Sequence, residues 1–352
     1  MFTKTDTLKT KGIAMLLLLF HHLFYSNSVY ETRDIDVMFL SRDVVQQIAI
    51  GARVCVWIFA FLSAYGLTHS YYEAKANNID TVTFLKKRWV SLMKPYWFMY
   101  IIFFLLSFVL FRNPLEVYQN NIIYLLFDFF AVADFFGTPM LSAVWWYMCF
   151  AQVLLFMIPL LAEFCNKFSS ASCIIIFIIL QYIGSGIHSP YGGMYTNYLL
   201  AIVLAVVCAR NKKLLGGVKT KSFMLQILEI VGLILLICGC IYIKNIYGAD
   251  DTVKITTLLS GIAVLALCTL VHKYITNSFI EKILVFLGNH SGNIFMMHWF
   301  IYAYYPDVIY YSKNVIISWL CLLAISVIVS MLIEKVKELV RYNKFIKLVF
   351  KF

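Results

Sequence analysis

The sequence predicts an all-α polytopic membrane protein of about ten transmembrane helices, with N- and C-termini cytoplasmic and one extra re-entrant or interfacial segment near 122–137. Three observations predict it. Of the 352 residues 62% are hydrophobic and only 13% charged, against about a quarter charged in an average soluble chain. Apolar runs near twenty residues long, enough for a helix to cross a hydrocarbon core of about 30 Å, recur along the whole chain. Short basic loops lie between them, and Lys and Arg in such loops are held on the cytoplasmic side.

The first span is expected over 11–28, beginning KGIAMLLLLFHHLF. The stretch before Lys11 is polar and the run has no small-residue cleavage site, so this span is expected to stay in the mature chain. Further spans are expected at 46–68, 92–112, 140–162, 170–187, 194–210, 224–243, 254–273, 287–306 and 314–334. IIYLLFDFFAVADFFG at 122–137 is short and carries Asp128 and Asp134. If it does not cross, the N-terminus (Lys4, Lys9, Lys11), the 69–91 loop (Lys75, Lys86, Lys87, Arg88), the 210–223 loop (Arg210, Lys212, Lys213, Lys219, Lys221) and the tail from Lys335 all face the cytoplasm. The acidic loops 29–45 and 244–253 then face out; a crossing would export the most basic loop.

Residues 1–352 read as a single membrane domain without an appended soluble domain or internal repeat. Its end, 335–352, is a basic amphipathic cytoplasmic tail that lies along the inner leaflet or serves as a plain positive anchor. The net charge of +11 is spread over loops rather than gathered on one folded face, which fits membrane topology and argues against nucleic acid. The nine cysteines lack paired spacing and read as small apolar packing residues.

Two histidines within the spans carry the chemical interest. His22 lies eleven residues beyond Lys11, roughly 16 Å along a helix. His298 lies ten residues beyond Gly288 in a span that also starts at the cytoplasmic face. An intramembrane imidazole is either satisfied by a neighbouring helix or functional, and two at matched depth favour function. No carboxylate or thiolate lies at that depth, so no metal is implied.

KGIAMLLLLFHH resembles the first-helix signature of the acyltransferase 3 family, with Lys11-Gly12 and His22 at the family's spacing and His21 as an extra residue. FAFLSAYGL at 59–67 is similar to the family's second helix, FLKKRWVSLMKPYW at 84–97 to its basic segment, SAVWWYMCFAQVLLFMIPLL at 142–161 to its tryptophan-bearing helix, and LGNHSGNIFMMHWFI at 287–301 to its Gly-x-x-Ser then Leu-x-x-His element. The pieces run in the expected order over nearly the whole chain. Lys11 stands where the family has arginine and Ala64 where it has glycine. Arg88 is followed by Ser91, and the proline moves to Pro95 behind Lys94, so the role of the family's second arginine is not carried over.

The resemblance implies an enzyme of the plasma membrane that moves an acyl group, commonly acetyl, from cytoplasmic acyl-CoA (acetyl-CoA) to a hydroxyl of an extracytoplasmic polysaccharide or lipid-linked glycan. CoA enters as a co-substrate and not as a bound cofactor. His22 is the expected general base or transient acyl carrier, with His298 orienting or replacing it, or bonding the acceptor. Lys11, Arg88, Lys87 and Lys94 are the candidates for the donor's phosphates. Trp145, Trp146 and Tyr147, beside Asp128 and Asp134, are an acceptor platform or an interfacial aromatic belt; the outward turn SPYGGMY at 189–195 is a candidate lining of the same entrance. A lipid-linked saccharide transporter would need repeats or paired broken helices that are not evident. An inactive sensor on the same scaffold stays open, as does the oligomeric state.

Overall fold

A chain in hydrocarbon must satisfy its backbone groups within each segment, which a helix does; this protein is 83% helix, without strands among its described residues. The structure, a computed structural model, describes residues 2–184, 195–211, 214–215, 222–247, 253–276 and 278–350. Lys212, Lys213, Lys219 and Lys221 of the 210–223 loop, SPYGGM at 189–194 and Asp250–Asp251 lie outside them.

The helices are α1 (Lys4–Phe24), α2 (Asn27–Arg33), α3 (Arg42–Gly51), α4 (Cys55–Ala76), α5 (Thr81–Leu110), α6 (Pro114–Val117), α7 (Ile122–Phe129), α8 (Trp146–Lys167), α9 (Ser170–Gly184), α10 (Leu199–Arg210), α11 (Phe223–Tyr247), α12 (Val253–Tyr274), α13 (Phe279–Tyr304), α14 (Pro306–Ile309), α15 (Val315–Leu339) and α16 (Tyr342–Phe350). Among the described residues, a helix lies within each of the expected ranges. By length and composition six of the described helices can cross a membrane, or seven if α1 and α2, bent by 61°, count as one span.

Two boundaries differ from expectation for local reasons. α1 begins at Lys4 rather than 11, because Thr3 and Asp6 form a reciprocal capping box. α5 begins at Thr81, where the Asp80 carboxylate accepts the Thr83 N–H at 2.9 Å. The basic segment is thus helix rather than loop, and it continues through Pro95. Seven of the nine cysteines are buried and all nine are free thiols.

The chain packs as two units. The first holds α1 to α3, most of α4, the end of α8, and α9 to the start of α13. Here α1 and α13 cross at two glycines: a Cβ on Gly12 would collide with the Leu284 carbonyl, and one on Gly288 with that of Leu8. Only hydrogen allows the backbones so close, as in the small-residue contacts of membrane helices. α11 packs along α12 and α3 and leaves Leu228, Leu235 and Leu236 on the outside.

The second unit holds α5 to α7, the start of α8, the rest of α13, and α14 to α16. Its segment 113–145 runs along α5 and turns back. Tyr305 bonds the Leu110 carbonyl at one end of α5. The Tyr100 hydroxyl meets that of Tyr118 at 3.1 Å, Tyr96 donates to the Asp128 carbonyl at 2.6 Å, and Trp97 to that of Phe129 at 3.1 Å. Gln152 then donates to the carbonyls of Phe130 and Ala131, both at 2.8 Å. Ala131 takes a left-handed φ of 52° at the turn, and Leu141 N–H returns to Asp128 at 2.7 Å. The apolar stretch 122–137 therefore folds back beside α5 within this unit.

The tail helix α16 turns Tyr342 and Ile346 inward. Phe350 stacks on Trp97 at 5.6 Å, and Tyr342 donates to the Lys94 carbonyl at 2.8 Å. Between α5, α7 and α16 lies an apolar cavity of about 350 Å³ walled by Trp89, Trp97, Phe129, Phe345 and Phe350.

Candidate functional site

Since α1 ends at Phe24 rather than 28, His21 and His22 occupy its last turn rather than its middle. His21 Nδ1 lies 2.8 Å from the Ala49 carbonyl of α3. A carbonyl can only accept, so Nδ1 carries the proton and Nε2 is the basic nitrogen. The His21 ring stacks on Tyr25 at 5.0 Å and meets the edge of His22 at 5.2 Å. Both histidines are half-buried. α3 thus fixes one imidazole, and that one packs against the other.

The opposite end of α1 holds an arrangement that sequence reasoning missed. Lys9, expected as a cytoplasmic loop charge, is 2% exposed, and Asp6 is 4% exposed. One Asp6 oxygen accepts from Lys9 at 2.8 Å and the other meets His272 of α12 at 2.8 Å. Lys9 also donates to the Ile275 carbonyl at 2.5 Å. Every charge there has a partner, which ties α1 to α12. The Asp-x-x-Lys spacing was the available signal, since residues three apart share a helix face. Lys11, half-buried, lies between the two ends.

In the second unit the candidate donor cations are spread along α5. Lys87 is exposed and Arg88 half-buried, its guanidinium 5.9 Å from the Phe84 ring. Lys94 lies within electrostatic reach of Lys337 and Lys347, two basic residues not singled out from sequence. Lys337 is held by Asn293 at 3.0 Å and Glu334 at 2.7 Å, with its ammonium 5.4 Å from the Phe98 ring. Asn293 also donates to Ser330 at 3.1 Å, and His290 meets the same hydroxyl at 2.8 Å. A polar seam thus joins α13 to α15, signalled only by polar residues inside apolar runs.

His298 is fully buried. Its Nδ1 lies 2.8 Å from the Phe295 carbonyl and 3.1 Å from that of Ile294. This again fixes the Nδ1–H form and leaves Nε2 as the base-competent atom. Tyr147 meets Phe295 at 5.3 Å, and Phe295 meets His298 at 6.2 Å, so the unit brings Tyr147 and His298 around one ring. Trp145 is buried instead: it donates to the Met296 carbonyl at 2.9 Å and packs on Tyr96, Tyr100 and Phe300. Trp146 and Tyr147 are half-buried, and of the three aromatics these two retain accessible surface.

Asp128 is also buried. It accepts from Tyr118 at 2.7 Å, from Leu141 N–H at 2.7 Å and from Tyr96 at 3.1 Å. Burial nevertheless pushes its carboxyl up to about 6, against those hydrogen bonds. The carboxylate closes the folded-back segment on itself. Asp134, half-buried, lies in the turn that follows α7, where its carbonyl accepts from Gly137 N–H at 3.2 Å.

The two units thus assemble distinct chemistry: an imidazole pair at the end of α1, and an aromatic site with a buried imidazole on α13. Neither curated proteins nor solved structures match the chain. The family model described as an acyltransferase domain matches residues 10–335, from the first helix into α15. A match of that extent, on an all-helical chain with at least six helices fit to cross a bilayer, assigns the protein: it is a multi-pass membrane acyltransferase and belongs to the acyltransferase 3 family.

Proposed function

We propose that this acyltransferase moves an acyl group, acetyl by the habit of the family, from cytoplasmic acyl-CoA to a hydroxyl of an extracytoplasmic polysaccharide or lipid-linked glycan, with His22 as general base. The observation that carries the reading is the imidazole pair within the family-matched region: His21 is fixed by Ala49, and the half-buried His22 lies against it.

Imidazole as a class changes charge near neutral pH and so can take and return a proton during turnover. The His22 ring accepts the acceptor's hydroxyl proton while that oxygen bonds to the thioester carbonyl carbon. Collapse of the tetrahedral intermediate breaks the C–S bond. The departing sulfur takes the proton back from the imidazolium, leaving an ester and free CoA. Lys94, near Lys337 and Lys347, supplies positive charge suited to the donor's phosphates, with Arg88 and Lys87 on the same helix and Lys11 on α1. Trp146 and Tyr147 offer ring faces on which a sugar can stack, and Asp128 supports them by holding its own segment.

The test is labelled acetyl-CoA supplied to the purified protein in proteoliposomes, with transfer to glycan and to water scored separately. Wild-type protein is expected to transfer, and His22→Gln to lose about 10²- to 10⁴-fold, the worth of a positioned base. Undiminished transfer by that variant overturns the assignment of the base. Absence of transfer by the wild type, with any acyl-CoA, favours the transporter or the inactive sensor instead.

A further inference from the structure

The end of α1 that carries the histidines lies beside a positive cluster with no counter-charge among the described residues. Lys244, near the end of α11, is 8% exposed, and its ammonium has no hydrogen-bond partner among the described residues. It sits 4.7 Å from the centre of the Trp57 ring. Trp57 is itself fixed, donating to the Asn197 carbonyl at 3.1 Å and meeting Tyr198 edge-on at 5.0 Å. Arg53, exposed, lies within electrostatic reach of both Lys244 and His21 and hydrogen-bonds Tyr198. The end of α11 is held in place, since Asn245 donates to the Gln47 carbonyl of α3 at 2.8 Å.

An isolated buried ammonium is expensive, and in a membrane protein it marks a functional position. A cation–π contact returns only part of the lost hydration. Two fixed cations and an imidazole donor-acceptor converge here, and no carboxylate among the described residues pairs with either cation. By contrast, Lys9, Lys273 and Lys337 each have an acidic partner.

We propose that Lys244 and Arg53 form a binding site for the oxyanion of an acidic acceptor, a sugar carboxylate or sugar phosphate, beside the His21–His22 pair. The inference deepens the proposed function by naming the substrate class, and as a statement about the acceptor it rests on that reading. The ammonium bonds one anionic oxygen and the guanidinium another, and the Trp57 face lies under the first.

Binding is measured apart from catalysis, on the full chain in phosphatidylcholine nanodiscs, with glucuronate, glucose 1-phosphate and glucose as probes. The acidic probes are expected to bind saturably and glucose not to bind. Lys244→Met should weaken the acidic probes at least tenfold and Lys244→Arg much less. The unliganded Lys244→Met protein should melt no lower than wild type, because an unpaired buried charge is removed; that measurement separates lost binding from lost folding. Equal binding of glucose, or acidic binding untouched by Lys244→Met, overturns the site. Loss of probe binding in phosphatidylglycerol nanodiscs assigns it to a lipid headgroup and overturns the acceptor. Acidic binding without any acyl transfer from acyl-CoA leaves the site standing and sinks the enzymatic reading instead.

Discussion

The two ends of α1 handle buried charge in opposite ways. At its first turn Asp6 is shared between Lys9 and His272 at 2.8 Å each, so the charges cancel and the helix is fastened to α12. At its last turn the histidines stand near Lys244 and Arg53, and Lys244 has no hydrogen-bond partner among the described residues. In a low-dielectric bundle a balanced cluster contributes to the fold, whereas an unbalanced one costs free energy and marks a functional position. Ionisable residues within membrane helices are therefore not one class, and their partners tell the kinds apart.

Variants at the two ends should fail differently. His22→Gln is expected to lose transfer by the two to four orders of magnitude given above while melting like wild type. Asp6→Asn should do the reverse, since it leaves Lys9 buried without its counter-charge. A destabilisation of about 3–5 kcal/mol is expected for breaking one side of a buried pair, read as a drop in melting temperature in detergent. Full activity in the surviving folded fraction would confirm the division, and an Asp6→Asn protein as stable as wild type would break it.

The crossing between those ends tests whether α1 is positioned by backbone contact. Gly288→Ala puts a methyl into the Leu8 backbone and should cost about 1–3 kcal/mol by overpacking; an unaffected melting temperature would show that the crossing relaxes freely. Asp128 is a third kind of buried charge, paired by neutral donors. Burial pushes its folded carboxyl up to about 6, from an ordinary value of 3.8. The folded state therefore keeps a proton that the unfolded chain has released between those values, and stability should fall as pH rises from about 4 to 6 and level off above. A melting curve series across that range should slope downward for wild type and flatten in Asp128→Asn; equal slopes would remove Asp128 as the cause. The smallest effect is expected away from all of these, at the Asp80 cap of α5, where Asp80→Ala should lower the melting temperature only slightly by removing the cap.

The helical class and the approximate spans were legible because lipid forces every crossing segment into a helix and rewards long apolar runs. Boundaries were less legible. The early starts of α1 and α5 depend on Thr3, Asp6 and Asp80 as caps, and polar first turns look like loops to a hydropathy argument. The imidazoles were found because histidine is conspicuous in an apolar run. Sequence alone places Lys244 at the start of the acidic loop 244–253, because nothing in IYIKNIY indicates that its side chain is folded over a tryptophan far away in sequence. Sequence alone puts Trp145 with Trp146 and Tyr147 in an acceptor platform or aromatic belt, whereas its buried bond to Met296 depends on a helix about 150 residues away.

By itself the sequence determined the solvent in which this chain folds, its helical class and the residue types available for proton transfer, because those follow from composition and from periodicity along one helix. The tertiary structure alone decided which charges are cancelled and which remain, since pairing depends on helices distant in sequence: α12 closing on Asp6 and α11 bringing Lys244 to Trp57. It also decided why Gly12 and Gly288 must be glycines, because only the crossing of two backbones leaves no room for a side-chain carbon.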